Sequence, residues 1–166
     1  MADAPKPFLR RKAVWAVIIL LCLTAPLVWW CSHPMIPRGA EGGWNFSEDL
    51  APVRQDHKFG YIDKTGKLVI PCQFDGADDF REGLARVLQN GKYGYIDKTG
   101  KIAISCQFEN AADFCEDIAL VKQNGKEGYI DKTGKLVIPC QFDKAWSFFE
   151  GLAIVQQNGK EGYIDK

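Results

Sequence analysis

The chain has 166 residues, room for one domain and an anchor, and its 21 basic and 21 acidic side chains cancel. They cancel unevenly: residues 1–45 hold five basic groups (Lys6, Arg10, Arg11, Lys12, Arg38) against two acidic ones, while residues 46–166 hold sixteen against nineteen. A nucleic-acid binder shows a basic face, because phosphate contacts supply most of its affinity, and a segment of net charge −3 does not have one.

Residues 1–12 form a basic N-terminal segment, expected to be cytoplasmic. Ala13–Cys31, AVWAVIILLCLTAPLVWWC, is nineteen residues without a charge. As a helix it would rise about 28 Å, close to the hydrocarbon thickness of a bilayer. Arg10, Arg11 and Lys12 abut its start, and Trp29 and Trp30 stand at its far end, where indoles favour the interface. Cleavage as a signal peptide is the alternative and would give a secreted protein. The small residues such a cut requires are poorly supplied by Thr24-Ala25-Pro26 and by Arg38-Gly39-Ala40. The reading is an uncleaved signal anchor that places residues 13–31 in the membrane. With the basic residues before the span, the rest is expected on the extracytoplasmic side. Residues 32–45, with Pro34, Pro37, Gly39, Gly42 and Gly43, read as a linker.

From residue 46 the chain repeats. GYIDKTGKLVIPCQFD at Gly60–Asp75 returns identically at Gly128–Asp143 and with four changes at Gly94–Glu109. The starts at Gly60, Gly94, Gly128 and Gly162 are each 34 residues apart. Such a period marks a solenoid, propeller or array. Within the unit, Phe46–Val53, Phe80–Val87, Phe114–Val121 and Phe148–Val155 share Phe, Glu, Ala and Val, while the seventh place varies as Pro52, Arg86, Leu120 and Ile154. Period-2 logic predicts a strand with the fixed Ala and Val on a packed face and the variable place on an open one. Asn90-Gly91, Asn124-Gly125 and Asn158-Gly159 predict type I′ hairpin turns. Asp97-Lys98-Thr99-Gly100 and its equivalents predict type I turns. A third strand, Leu68-Val69-Ile70, is expected to end at Pro71, and the segment after it to cross irregularly to the next unit. This gives about three strands per unit. A tetratricopeptide reading of the 34-residue period fails, since two Gly-containing turns interrupt every unit.

The unit resembles the WG-repeat (KWG) family of bacterial proteins through G-[YF]-I-D-x-x-G-x-x-V-I-P, C-Q-F-D and F-x-E-G-L-A-x-V. The eponymous Trp before Gly is replaced by Phe59, Tyr93, Glu127 and Glu161. The resemblance implies an all-β interaction array with no common catalytic activity. The expected fold is therefore all-β: an open-ended, solenoid-like array of about three and a half hairpin repeats over residues 46–166, or alternatively part of a β-propeller.

Little in the repeats suggests chemistry. The Asp63, Asp97, Asp131, Asp165 series is expected to cap turns and the Glu82, Glu116, Glu150 series to bond local backbone. The Gly-Gly-x-Gly-x-Asp pattern of calcium-binding β-rolls is absent. Cys72, Cys106 and Cys140 recur in phase without zinc spacing, too far apart to bridge if each unit adds two or three strands. No nucleophile motif or phosphate loop occurs, so no catalytic, metal or cofactor residue is assigned. The expectation is a non-catalytic, membrane-anchored module for another protein or a cell-envelope glycan, with a purely structural spacer as the alternative and an enzyme fragment as a remote one. Candidate contacts are the variable Arg86, Leu120 and Ile154 and the aromatics Tyr93, Trp146 and Phe149. Gly162–Lys166 begins a returning strand whose follower is not in the sequence. That predicts either a fragment of a longer array or an edge through which chains self-associate.

Overall fold

The computed structural model describes residues 45–166. The expected basic segment 1–12, membrane helix 13–31 and nearly all of the linker 32–45 lie outside the described residues. Among the described residues every element is a β-strand, and the strands form four antiparallel meanders in chain order. The first sheet holds β1 (Leu50–Gln55), β2 (Lys58–Asp63) and β3 (Leu68–Phe74). The second holds β4 (Gly76–Arg81), β5 (Leu84–Gln89), β6 (Lys92–Asp97) and β7 (Ile102–Phe108). The third holds β8 (Asn110–Ala111), β9 (Ile118–Gln123), β10 (Lys126–Asp131) and β11 (Leu136–Phe142). In the fourth are β12 (Lys144–Ala145), β13 (Leu152–Gln157) and β14 (Lys160–Asp165).

A complete unit is thus four strands, not three and an irregular crossing. Pro71 does not end the third strand. Phe59 pairs with Phe74 and Tyr61 with Ile70, so Gly60 alone faces Pro71, Cys72 and Gln73 across a bulge. Proline lacks the N–H a regular ladder needs, and a bulge is where a strand tolerates it. The segment after Asp75 pairs with β5 through Gly76–Leu88, Ala77–Val87 and Phe80–Ala85. Its own irregularity, between Ala77 and Phe80, breaks the alternation by which a strand is recognised.

The turns follow their residues. Asn90 and Gly91 have φ of 52° and 75°, the left-handed pair of a type I′ turn. Gly100 donates its N–H to the Asp97 carbonyl at 2.9 Å, and the Asp97 carboxylate accepts the Thr99 N–H at 2.8 Å. Asp63 and Asp131 cap their turns in the same way. A further I′-like turn was not expected: Glu82 and Gly83, with φ of 52° and 87°, join β4 to β5.

Neighbouring sheets then share cores. Phe80, Ala85, Val87 and Ile96 of the second sheet pack on Tyr61, Ile70 and Phe74 of the first. Leu84 and Tyr93, on the second sheet's other face, join Tyr95, Ile104 and Phe108 against Phe114, Ala119 and Val121 of the third. Tyr129 and Phe142 meet Phe148, Ala153 and Val155 in the same way. Across each junction a tyrosine ring meets the next sheet's phenylalanine: Tyr61–Phe80, Tyr95–Phe114 and Tyr129–Phe148 have centroids 4.9, 4.8 and 4.9 Å apart. The hydroxyls donate to the carbonyls of Asp78, Ala112 and Trp146 at 2.7, 2.6 and 2.7 Å. The second and third sheets are therefore covered on both faces, which corrects the expectation of one packed and one open face.

Candidate functional site

Arg86 and Leu120, expected on an open face, lie between sheets. The Arg86 guanidinium pairs with Asp78 at 2.8 Å, donates to the Ala111 carbonyl of the third sheet, and lies 5.4 Å from the centre of the half-buried Tyr93 ring. Leu120 packs into the core between the third and fourth sheets. Arg86, Tyr93 and Leu120 are thus parts of sheet-to-sheet junctions, whatever else they contact. The structure brings Trp146, Phe149 and Ile154 to the fourth sheet, where they are 45, 74 and 39 % exposed. Two residues not expected there join them: Leu152 and Tyr163, 50 and 73 % exposed.

The equivalents of these five in the second sheet are Asp78, Arg81, Leu84, Arg86 and Tyr95. Four of those bond or pack toward the third sheet, Arg81 through Asp113 at 3.2 Å, Arg86 through Ala111, Tyr95 through Ala112 and Leu84 in the shared core, while Asp78 pairs with Arg86. The fourth sheet presents the same face in apolar, largely aromatic form. Tyr163 is identical to three buried tyrosines, so only its neighbours, not its own letter, could have marked it as exposed.

A cleft of about 30 Å³ lined by Asn110, Ala112, Leu120, Lys122 and Glu127 has room for about one water, against several hundred Å³ for an organic ligand. Glu127, at the eponymous Trp position, accepts the Ala145 N–H at 2.5 Å.

The glutamate series does not bond local backbone. Glu48 accepts the Gly83 N–H at 3.1 Å, Glu82 those of Glu116 and Asp117 at 2.8 and 3.0 Å, and Glu116 that of Gly151 at 3.1 Å. These bonds reach 34 or 35 residues on, into the next unit. Lys98, Lys132 and Lys166 close on the same glutamates at 3.0, 3.1 and 2.9 Å. The physical reason is the turn. Glu48, Glu82 and Glu116 take φ of 50–54°, which costs a non-glycine residue about 1 kcal/mol and aims the carboxylate along the stack. A second row does similar work: Asp75 and Asp143 accept N–H groups of Asn90 and Asn158, and Glu109 that of Gly125. The glutamates are clamps between units, whereas Asp63, Asp97 and Asp131 stay within their own turns.

Bonds between units, within sheets and within turns together hold nine carboxylates below their ordinary range. Hydrogen bonds from lysines act on Glu48, Asp49, Asp75, Glu116, Asp117 and Asp143, and threonine hydroxyls on Asp63, Asp97 and Asp131. A group depressed in the folded state contributes stability above its unfolded pKa and loses it as pH falls through the folded value. Asp113 runs the other way: burial raises it, so it weighs against folding at neutral pH and is relieved on protonation. With nine against one, the melting temperature should be level from pH 8 to 6 and fall as pH drops from about 4.5 to 2.5. A thermal melt at pH 3 matching that at pH 7 would refute a stabilising role for these carboxylates.

Burial pushes the thiols of Cys72, Cys106 and Cys140 up, away from the thiolate form that nucleophiles and metal ligands need. A family model described as WG containing repeat matches residues 59–93, 93–126 and 128–160. Comparison with curated proteins and with solved structures gives no match.

Proposed function

The chain belongs to the WG-repeat family, and we propose that it is a non-catalytic interaction module whose contact surface is the exposed face of the fourth sheet. The observation that carries this is the cluster of Trp146, Phe149, Leu152, Ile154 and Tyr163, apolar side chains gathered on one sheet where the preceding sheets bury theirs. Contiguous exposed apolar surface of this kind is characteristic of protein–protein contact, and tryptophan and tyrosine are the commonest anchors of such contacts. We read the stack as an open-ended array, since the inter-sheet bonds and ring pairs described above join each sheet to the next in sequence; meanders of four strands stacked in this way also fit part of a β-propeller. On this reading residues 13–31 tether the module and hold it outside the cytoplasm.

The test is cross-linking from intact cells of wild type and of Trp146→Ser/Phe149→Ser/Tyr163→Ser. The variant should keep its melting temperature within about 2 °C, because these side chains are exposed, and lose its cross-linked partners. Unchanged partners would remove this face as the contact surface; the absence of any partner for the wild type would leave a spacer. A reporter fused after Lys166 should report the extracytoplasmic side, and a cytoplasmic signal would end the tether's proposed orientation.

A further inference from the structure

One face recurs on every sheet and packs on the sheet before it. Ala85, Val87 and Ile96 of the second sheet lie against Tyr61, Ile70 and Phe74 of the first. Ala119, Val121 and Ile130 of the third share a core with Tyr95, Ile104 and Phe108 of the second. Their counterparts in the first sheet are Ala51, Val53 and Ile62, which are 0, 2 and 0 % exposed. Among the described residues these three pack only with Leu68 and Cys72, side chains of their own sheet. A sheet cannot bury its own outer face; a second layer has to lie on it.

The residues just before the first sheet carry the repeat's letters in phase. Met35-Ile36-Pro37 stands 34 residues before Val69-Ile70-Pro71, and Glu41-Gly42 stands 34 before Asp75-Gly76. Phe46 keeps the same step to Phe80, and Trp44 falls at the place of Trp146. Between them the pattern lapses, since Arg38, Gly39 and Ala40 replace Cys72, Gln73 and Phe74. In the sheets that follow, this stretch has a defined task. Its isoleucine, as Ile70, lies against the next sheet's Ala, Val and Ile. Its acid, as Asp75, accepts an N–H of the next hairpin turn, from Asn90 at 2.9 Å. The residues after the acid pair with the next strand, Gly76 with Leu88 and Ala77 with Val87.

We infer that residues 35–45 are a degenerate half-unit that covers the first sheet, with Ile36 over Ala51, Val53 and Ile62 and residues 42–45 running beside β1 as a fourth strand. The repeat sets the register: Gly42 opposite Arg54 and Gly43 opposite Val53. Glu41 then accepts an N–H of the Asp56-His57 turn, whose φ values of 50° and 63° match the Asn-Gly turns. The linker read over residues 32–45 shrinks to Ser32, His33 and Pro34. Three residues reach about 10 Å. On the tether reading the stack therefore begins at the bilayer surface instead of swinging on a leash, and its first face is closed to partners. The cover itself does not depend on the tether.

Hydrogen exchange of the full chain in detergent solution, read by mass spectrometry, tests the strand. Amides of residues 42–45 should exchange about a hundredfold more slowly than those of an unstructured peptide, as residues 76–79 do. Exchange of 42–45 at the unstructured rate would overturn the inference. Cys72 tests the cover, because Cys106 and Cys140 hold its place in the next two sheets and lie in the cores shared with the sheet before. Pulse alkylation with iodoacetamide should label all three alike in the wild type. In Ile36→Asp, Cys72 should react about tenfold faster while Cys106 and Cys140 keep their rates, which also shows that the rest of the stack is folded. Should all three thiols open together, Ile36→Ala is read in the same way. Equal labelling of Cys72 with and without Ile36 would overturn the inference. So would protection of Cys72 that fades on dilution of the wild type, since a second copy would then be the cover. Neither readout uses a membrane or a partner, so a failure here leaves the tether and the fourth sheet's contact surface standing, and their failure leaves the cover standing.

Discussion

Gly94→Ala should destabilise the protein by about 3 kcal/mol, and Gly162→Ala should leave its stability within about 0.5 kcal/mol. The two glycines occupy the same place in the repeat, so propensity and unfolded-state entropy treat them alike. What differs is the strand next door. At Gly94 the bulge of β7 brings the Ile104 oxygen and the Cys106 nitrogen and Cα within 2.6–2.8 Å of where a methyl group would sit. These are backbone atoms pinned by pairing on both sides of the bulge, so they cannot swing away as a side chain could. For a domain of this size 1 kcal/mol moves the melting temperature by roughly 4 °C, which puts the expected drop near 12 °C. Differential scanning calorimetry of the two single variants decides the matter. Equal melting temperatures would mean that the bulge does not need its glycine and that the repeat's most regular letter has another explanation.

The letters that make turns were legible because their chemistry is local. Asn-Gly needs only its own two residues to adopt positive φ, and Asp97 reaches its turn's N–H groups within four residues. Strand β4 was not legible because Gly76-Ala77-Asp78-Asp79 shows no period, and its pairing with β5 is interrupted at Asp78 and Asp79. The glutamates misled for a related reason. Glu82 looks like a turn residue with a local bond, yet its partners are the N–H groups of Glu116 and Asp117, two turns related by the repeat. Only the stacking of units brings them together.

Which of the candidate side chains stand exposed was legible only in part, and the division has a cause. A seventh place holding Pro52, Arg86, Leu120 and Ile154 seems unconstrained when the strand is viewed singly. In the stack it is a junction position, filled by a charged side chain in the second sheet and an apolar one in the third. Arg86 faces the second-to-third junction with Asp78 and with Ala111, while Leu120 lies in an apolar junction. Ile154 is the one exposed among the last three, and its neighbours Trp146 and Tyr163 are exposed with it.

That same dependence of each sheet on its neighbours predicts how the stack fails. Tyr95→Ala should cost about 4 kcal/mol, the usual loss for removing a large buried aromatic ring. The ring is fully buried, lies against Phe114, and carries a hydroxyl that donates to Ala112 in the third sheet. Burial pushes that phenol well above the ordinary tyrosine range, so the hydroxyl stays a donor up to strongly alkaline pH. Tyr95→Phe should lose only about 1 kcal/mol, because it keeps the ring and leaves one carbonyl without its partner. Tyr163→Ala, on an exposed ring, should cost less than either. The larger consequence concerns cooperativity. An array whose units touch only their neighbours is stabilised by a sum of nearest-neighbour junctions, and weakening a central one uncouples the two sides. Tyr95→Ala should therefore melt in two steps by calorimetry, with amides of β5 and β6 and those of β9 and β10 exchanging in separate groups. A single transition with uniform exchange would show that the Glu82 and Lys132 clamp holds the second and third sheets together without the aromatic contact.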